Sequence, residues 1–89
     1  MTSSYNVRIK KSAEKELRGL PKKNLKQIFS RIRALAASPR PVGCEKSSGA
    51  DWYRVRQGDY RIVYIIDDDE LLVEVVKIGH RKEVYRVSR

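Results

Sequence analysis

From Trp52 onward the hydrophobic pattern has a period of two and keeps it through three runs, which limits the fold more than any other feature. Trp52 to Gln57 alternates, with Tyr53 and Val55 on one side and Trp52, Arg54 and Arg56 on the other. Gly58-Asp59 follows, a two-residue hairpin with glycine first, as a type II′ turn requires. Tyr60 to Ile66 is the next strand, Asp67-Asp68-Asp69 a turn, and Leu71 to Ile78 the last strand. These two strands are apolar on nearly both faces, which places them at the centre of a sheet. Gly79 is expected to end the sheet and to leave His80 to Arg86 as a short basic tail.

The first half supplies what covers the sheet. Tyr5 to Lys10 alternates and predicts a half-buried first strand. Ser12 is a suitable N-cap for a helix from about Ala13 to Leu20, broken by Pro21. A second helix is predicted over Lys22 to Ala37, where Leu25, Ile28, Ile32 and Leu35 recur at three and four residues. Lys22, Lys23, Lys26, Arg31 and Arg33 occupy its remaining surface, and Ser38-Pro39-Arg40-Pro41 stops it. The order β-α-α-β-β-β predicts an α+β fold in a single domain spanning 1–89: a mostly antiparallel four-stranded sheet with an N-terminal helical hairpin on one face.

A chain of 89 residues has a thin core and no second lobe, so any chemistry belongs on an open face. Its 20 Lys and Arg against 11 Asp and Glu give a net charge of +9, a field that gathers polyanions. Aliphatic content is too high for a disordered basic tail, so a folded nucleic-acid-binding or ribosome-binding domain is the expected class. Cys44 is the only cysteine and His80 the only histidine, which excludes an internal disulfide and a Cys-based zinc knuckle, and no cofactor or metal is expected. The Asp67-Glu70 acidic run sits in a turn with no partner carboxylate and reads as turn chemistry. Neither a signal peptide nor a span of ~20 apolar residues is present, and a cytoplasmic location is expected.

Arg54 and Arg56 project from the same side of their strand, and the hairpin sets Arg56 opposite Arg61. Like charges facing each other destabilise a sheet, so this crowding of guanidinium groups calls for an anion. Phosphate fits the guanidinium fork, and a solvated coat of arginines is the alternative on spacing alone. His80, Arg81 and Tyr85 follow the last strand and can hang over the same face. Several Arg, one His and one Tyr suit cleavage of a phosphodiester by its own 2′-OH: a group takes the proton, cations stabilise the phosphorane, and a ring stacks on the base. Trp52 fits either base stacking or capping of the core edge. Lys46, Trp52, Lys82 and Arg86 are candidate RNA-binding residues beside this cluster.

The run Asp51-Trp52-Tyr53-Arg54-Val55-Arg56-Gln57-Gly58-Asp59-Tyr60-Arg61-Ile62-Val63-Tyr64, together with Ile78-Gly79-His80-Arg81-Lys82-Glu83-Val84-Tyr85-Arg86, resembles the RelE branch of the RelE/ParE toxins of prokaryotic toxin–antitoxin pairs. The resemblance covers nearly the whole chain. It implies a metal-independent endoribonuclease that enters the ribosomal A site and cleaves mRNA there with the 2′-OH as nucleophile. By position, it implies that the catalytic basic residues are Arg54, Arg56, Arg61 and Arg81, with Tyr85 as the tail tyrosine. It also implies a RelB-like acidic antitoxin that wraps the toxin as it folds. The alternatives are a ParE-like inhibitor of DNA gyrase, or a non-catalytic RNA- or ribosome-binding module. One departure matters: well-known RelE members carry lysines where Arg54 and Arg56 stand, and one of those is a candidate general base. Arginine cannot give up its proton at usable pH. The base role is therefore reopened, and His80 is the residue expected to take it, since histidine alone has an unperturbed pKa near neutrality.

Overall fold

The computed structural model describes residues 4–47, 49 and 51–80. Seven elements follow in order: β1 (Asn6–Ile9), α1 (Lys11–Arg18), α2 (Lys22–Ala37), β2 (Glu45–Lys46), β3 (Trp52–Gln57), β4 (Tyr60–Asp67) and β5 (Leu72–His80). The five strands form one sheet in the order β1-β5-β4-β3-β2. β1 runs parallel to β5 and the other neighbours are antiparallel. The α+β architecture and the helical hairpin match the sequence reading, with β4 and β5 inside the sheet as their two-sided apolar pattern required.

Three details correct it. The sheet has five strands rather than four, because Glu45 and Lys46 pair with Arg54 and Tyr53 and make a short polar edge. The Ser47 N–H donates to the Trp52 carbonyl at 2.8 Å and closes that edge. Two charged residues have no period to detect, and such an edge is one that resists pairing with another chain. α1 begins at Lys11, with Lys10 as its N-cap and no side-chain cap, so Ser12 lies inside the helix. β5 runs through Gly79 to His80, so His80 belongs to the sheet and not to a tail.

The core lies between the helices and one face of the sheet. Ala13 and Leu17 of α1 and Ile28, Ile32 and Leu35 of α2 pack on Val55, Ile62, Tyr64, Val73, Val75 and Ile78. Val75 and Ile78 are three residues apart, yet both face the helices. A β-bulge explains this: Tyr64 pairs with Val75 while Val63 pairs with Lys77, leaving Val76 as an extra residue that shifts the alternation by one. Tyr64 is fully buried and its hydroxyl donates to the Pro39 carbonyl at 2.7 Å, holding the end of α2 to the sheet. Burial, then the neighbouring Cys44 thiol, pushes the Tyr64 phenol above its ordinary range. Cys44 is half-buried against this core, a packing role.

β1 ends at the Ile9–Val75 pair, and among the described residues no strand continues along that side of β5. α1 fills the gap. Glu16 accepts from the Ile78 N–H at 2.9 Å through Oε1, and its Oε2 pairs with the Lys77 ammonium. One carboxylate thus satisfies a backbone donor beyond the bulge and a neighbouring cation. Glu16→Ala is expected to cost about 1–3 kcal/mol, the range for stripping a part-buried donor of its acceptor. In a domain of this size each kcal/mol lowers the melting temperature by about 4–8 °C. Glu16→Gln keeps an acceptor and should lose less. Equal melting temperatures for the alanine variant and wild type would refute this anchor.

Candidate functional site

The register of β3 and β4 decides which side chains meet. Arg54 pairs with Val63, Arg56 with Arg61 and Trp52 with Ile65. Partners across a ladder share a face, and Val55, Ile62 and Tyr64 already define the helix-covered one. Trp52, Arg54, Arg56 and Arg61 therefore lie together on the opposite face, as their spacing foretold. On β5 the residue opposite Arg61 is Gly79, whose missing side chain leaves the guanidinium room over the sheet.

The burial of these arginines is uneven. Arg56 is exposed and Arg54 half-buried, whereas Arg61 is 8% exposed and is the buried charged residue among those described. A buried charge is tolerated only with compensation. Part of it comes from β2: Glu45 Oε1 lies 3.4 Å from Arg61 Nη1 and 3.3 Å from Arg54 Nη2. The anion that the crowded guanidinium groups call for is thus partly supplied by the protein. Sequence reasoning missed Glu45 because nothing local marks it. Only the pairing of Glu45 with Arg54, across a strand of two residues, carries it to the cluster.

His80 takes the other side. It pairs with Tyr60, and the two rings meet edge to face with centroids 5.8 Å apart. Tyr60 packs against the helix-side core, so His80 shares that side at the end of the sheet, away from the arginine face. The bulge is the cause: without Val76 as an extra residue, His80 would have the opposite parity. Lys46 pairs with Tyr53 and so also lies on the helix side of the edge strand, exposed. Arg81, Lys82, Tyr85 and Arg86 lie outside the described residues.

A second polar cluster closes the far end of the sheet. Arg40 donates to both oxygens of Asp68, at 3.3 and 2.9 Å, and from Nε to the Tyr53 hydroxyl at 3.1 Å, while Tyr5 donates to Asp68 at 2.7 Å. The Arg40 and Tyr5 hydrogen bonds hold the Asp68 carboxyl below its ordinary value, and the bond to Asp68 holds the Tyr5 phenol above its own. All these groups are matched to one another, which marks the cluster as a tie between the loop after α2 and the β4–β5 turn. In that turn Asp67 accepts from the Glu70 N–H at 3.0 Å, the turn role expected of the acidic run. Among the described residues no three His, Cys, Asp or Glu side chains converge as metal ligands, and no helix is long and apolar enough to cross a membrane.

Comparison with known proteins agrees with this fold. Residues 7–85 match the family model described as ParE toxin of type II toxin-antitoxin system, parDE. The chain is 31% identical over 84 residues to toxin RelG of Mycobacterium tuberculosis, covering 92% of this chain and 97% of that one. Among solved structures, the toxin–antitoxin complex RelBE2 from Mycobacterium tuberculosis superposes with a TM-score of 0.80 at 27% identity, over 88% of this chain and 99% of that one. The archaeal RelE–RelB complex from Pyrococcus horikoshii gives 0.75 at 30% identity, over 91% and 97%. The isolated Escherichia coli RelE toxin gives 0.77 at 27% identity, over 94% of each chain.

Proposed function

This chain belongs to the RelE/ParE family of type II toxin–antitoxin toxins, and from that premise we propose that it is a ribosome-dependent mRNA endoribonuclease that arrests translation. The observation that carries the reading is the arginine face, where Arg54, Arg56 and Arg61 stand side by side on neighbouring strands. Guanidinium groups grip a phosphodiester and stabilise the extra charge of a phosphorane. An open sheet face admits an mRNA strand lying in the ribosomal A site, where a deep pocket would not. Trp52 shares that face and in this reading stacks on a base. Arg81 and Tyr85 complete the proposed catalytic set and Lys82 and Arg86 the RNA contacts, all four beyond the described residues. Cleavage proceeds without metal, through attack by the RNA's 2′-OH. Induced expression in a bacterial host followed by mapping of mRNA ends tests the reading. New ends within translated messages support it, and intact messages with blocked DNA gyrase would favour the ParE-like reading, which the matching family model keeps in play.

The partner is a RelB-like acidic antitoxin. α2 carries Lys22, Lys23, Lys26, Arg31 and Arg33 with no acidic residue in its sequence. Its outer side holds a groove of about 750 Å³ lined by Lys22, Leu25, Lys26, Phe29, Ser30 and Arg33. Phe29 is a large hydrophobic side chain left exposed there. Basic walls around an apolar floor suit an acidic amphipathic segment that folds as it binds. Association should slow markedly between 50 and roughly 500 mM salt, because screening removes the steering field. An association rate that ignores salt would count against this surface.

A further inference from the structure

Resting on the nuclease reading, we propose that Glu45 is the general base that takes the proton from the attacking 2′-OH. The role needs a group that can accept a proton, and it must act on the face where the phosphate is held. Arginine cannot serve, and Arg54 and Arg56 occupy the strand positions in question. His80 can accept a proton but lies on the helix side with Tyr60. Glu45 meets both conditions. It is the carboxylate found against the arginine cluster among the described residues, in contact with Arg54 and Arg61 at once.

Its placement is built rather than incidental. β2 is held by the Glu45–Arg54 and Lys46–Tyr53 pairs and by the Ser47-to-Trp52 hydrogen bond. Arg54 and Arg61 both approach Oε1, and the proposal assigns the attacking hydroxyl to Oε2. The side chain is 59% exposed, so substrate can reach it.

The charges also balance. Arg54, Arg56 and Arg61 carry three positive charges against one on Glu45 and one on the scissile phosphate. The 2′-O–H bond breaks as its proton passes to Glu45 Oε2, and the oxygen forms a bond to phosphorus. The phosphorane gains a negative charge as the carboxylate loses one, so the total facing the arginines is constant. The P–O5′ bond then breaks, its electron pair goes to O5′, that oxygen takes a proton from solvent water, and the hydroxide left behind takes the Glu45 proton and restores the carboxylate. The products are a 2′,3′-cyclic phosphate and a 5′-hydroxyl.

The test uses the purified full-length chain on ribosomes programmed with a short mRNA, with cleavage and ribosome binding measured separately. Glu45→Gln, close in shape and still an acceptor for both guanidinium groups but unable to act as a carboxylate base, should slow single-turnover cleavage by about 10²–10⁴-fold with ribosome binding near wild type and only a small fall in melting temperature. Added formate should restore part of the rate of Glu45→Ala and none of the rate of Arg61→Ala. A Glu45→Gln protein that cleaves as fast as wild type, or faster, overturns the assignment, because Glu45 would then only plug the cluster. So does loss of cleavage in step with loss of ribosome binding, or a His80→Ala protein slower than Glu45→Gln. Wild-type protein that binds ribosomes and cuts nothing would instead sink the nuclease reading, before any Glu45 variant is compared.

Discussion

Replacing Arg61 with alanine is expected to lower mRNA cleavage by about 10²–10³-fold, the usual loss when one donor to a developing anion is removed. Arg61 sits opposite Arg56 on one side and Gly79 on the other, near the centre of the arginine face. Because it is buried and touches Glu45, part of any loss of toxicity could come from a weakened fold. Two further variants separate the effects. Arg56 is exposed, so Arg56→Ala should melt like wild type and still slow cleavage. Arg61→Lys keeps the charge but loses the planar fork, so it should recover only a fraction of the rate. If Arg61→Ala and Arg56→Ala both cleave as fast as wild type, the arginine face is not the site.

The largest effect should come from the substrate. A single 2′-deoxynucleotide on the 5′ side of the cut removes the nucleophile, and cleavage at that bond should cease rather than slow. Wild-type RNA should leave a 2′,3′-cyclic phosphate and a 5′-hydroxyl, readable by whether the new ends accept phosphate from polynucleotide kinase without prior dephosphorylation. Activity should also survive chelation of divalent ions, once ribosomes are held together by polyamines. On the proposed reading, the arginines that share this face supply the positive charge that a bound metal contributes in metal-dependent nucleases. New ends bearing a 5′-phosphate, or cutting of the deoxy-substituted message, would rule out the 2′-OH route and with it the need for Glu45 as a base.

Much of this site was legible in the residues themselves, because its geometry is local. Period two fixes which side of a strand a residue takes, and the Gly58-Asp59 hairpin fixes the register of the two strands it joins. Strand alternation and the hairpin alone therefore put Arg54, Arg56 and Arg61 on one face with Arg56 opposite Arg61, as the ladder has them. The helical hairpin was legible for the same reason: Leu25, Ile28, Ile32 and Leu35 repeat at helical spacing, and Pro21 and the Ser38-Pro39 pair mark its breaks. What only the tertiary structure decided depends on residues far apart in the chain. The parallel pairing of β1 with β5 joins segments more than sixty residues apart and ends where Glu16 takes over the exposed edge. Glu45 reaches Arg54 and Arg61 only through a two-residue strand that has no period of its own. One extra residue, Val76, reverses the parity of all that follows on β5 and turns His80 to the helix side. Alternation along a strand is local chemistry. A bulge, an edge pairing or an ion pair across strands is set by the packing of the whole sheet against its helices.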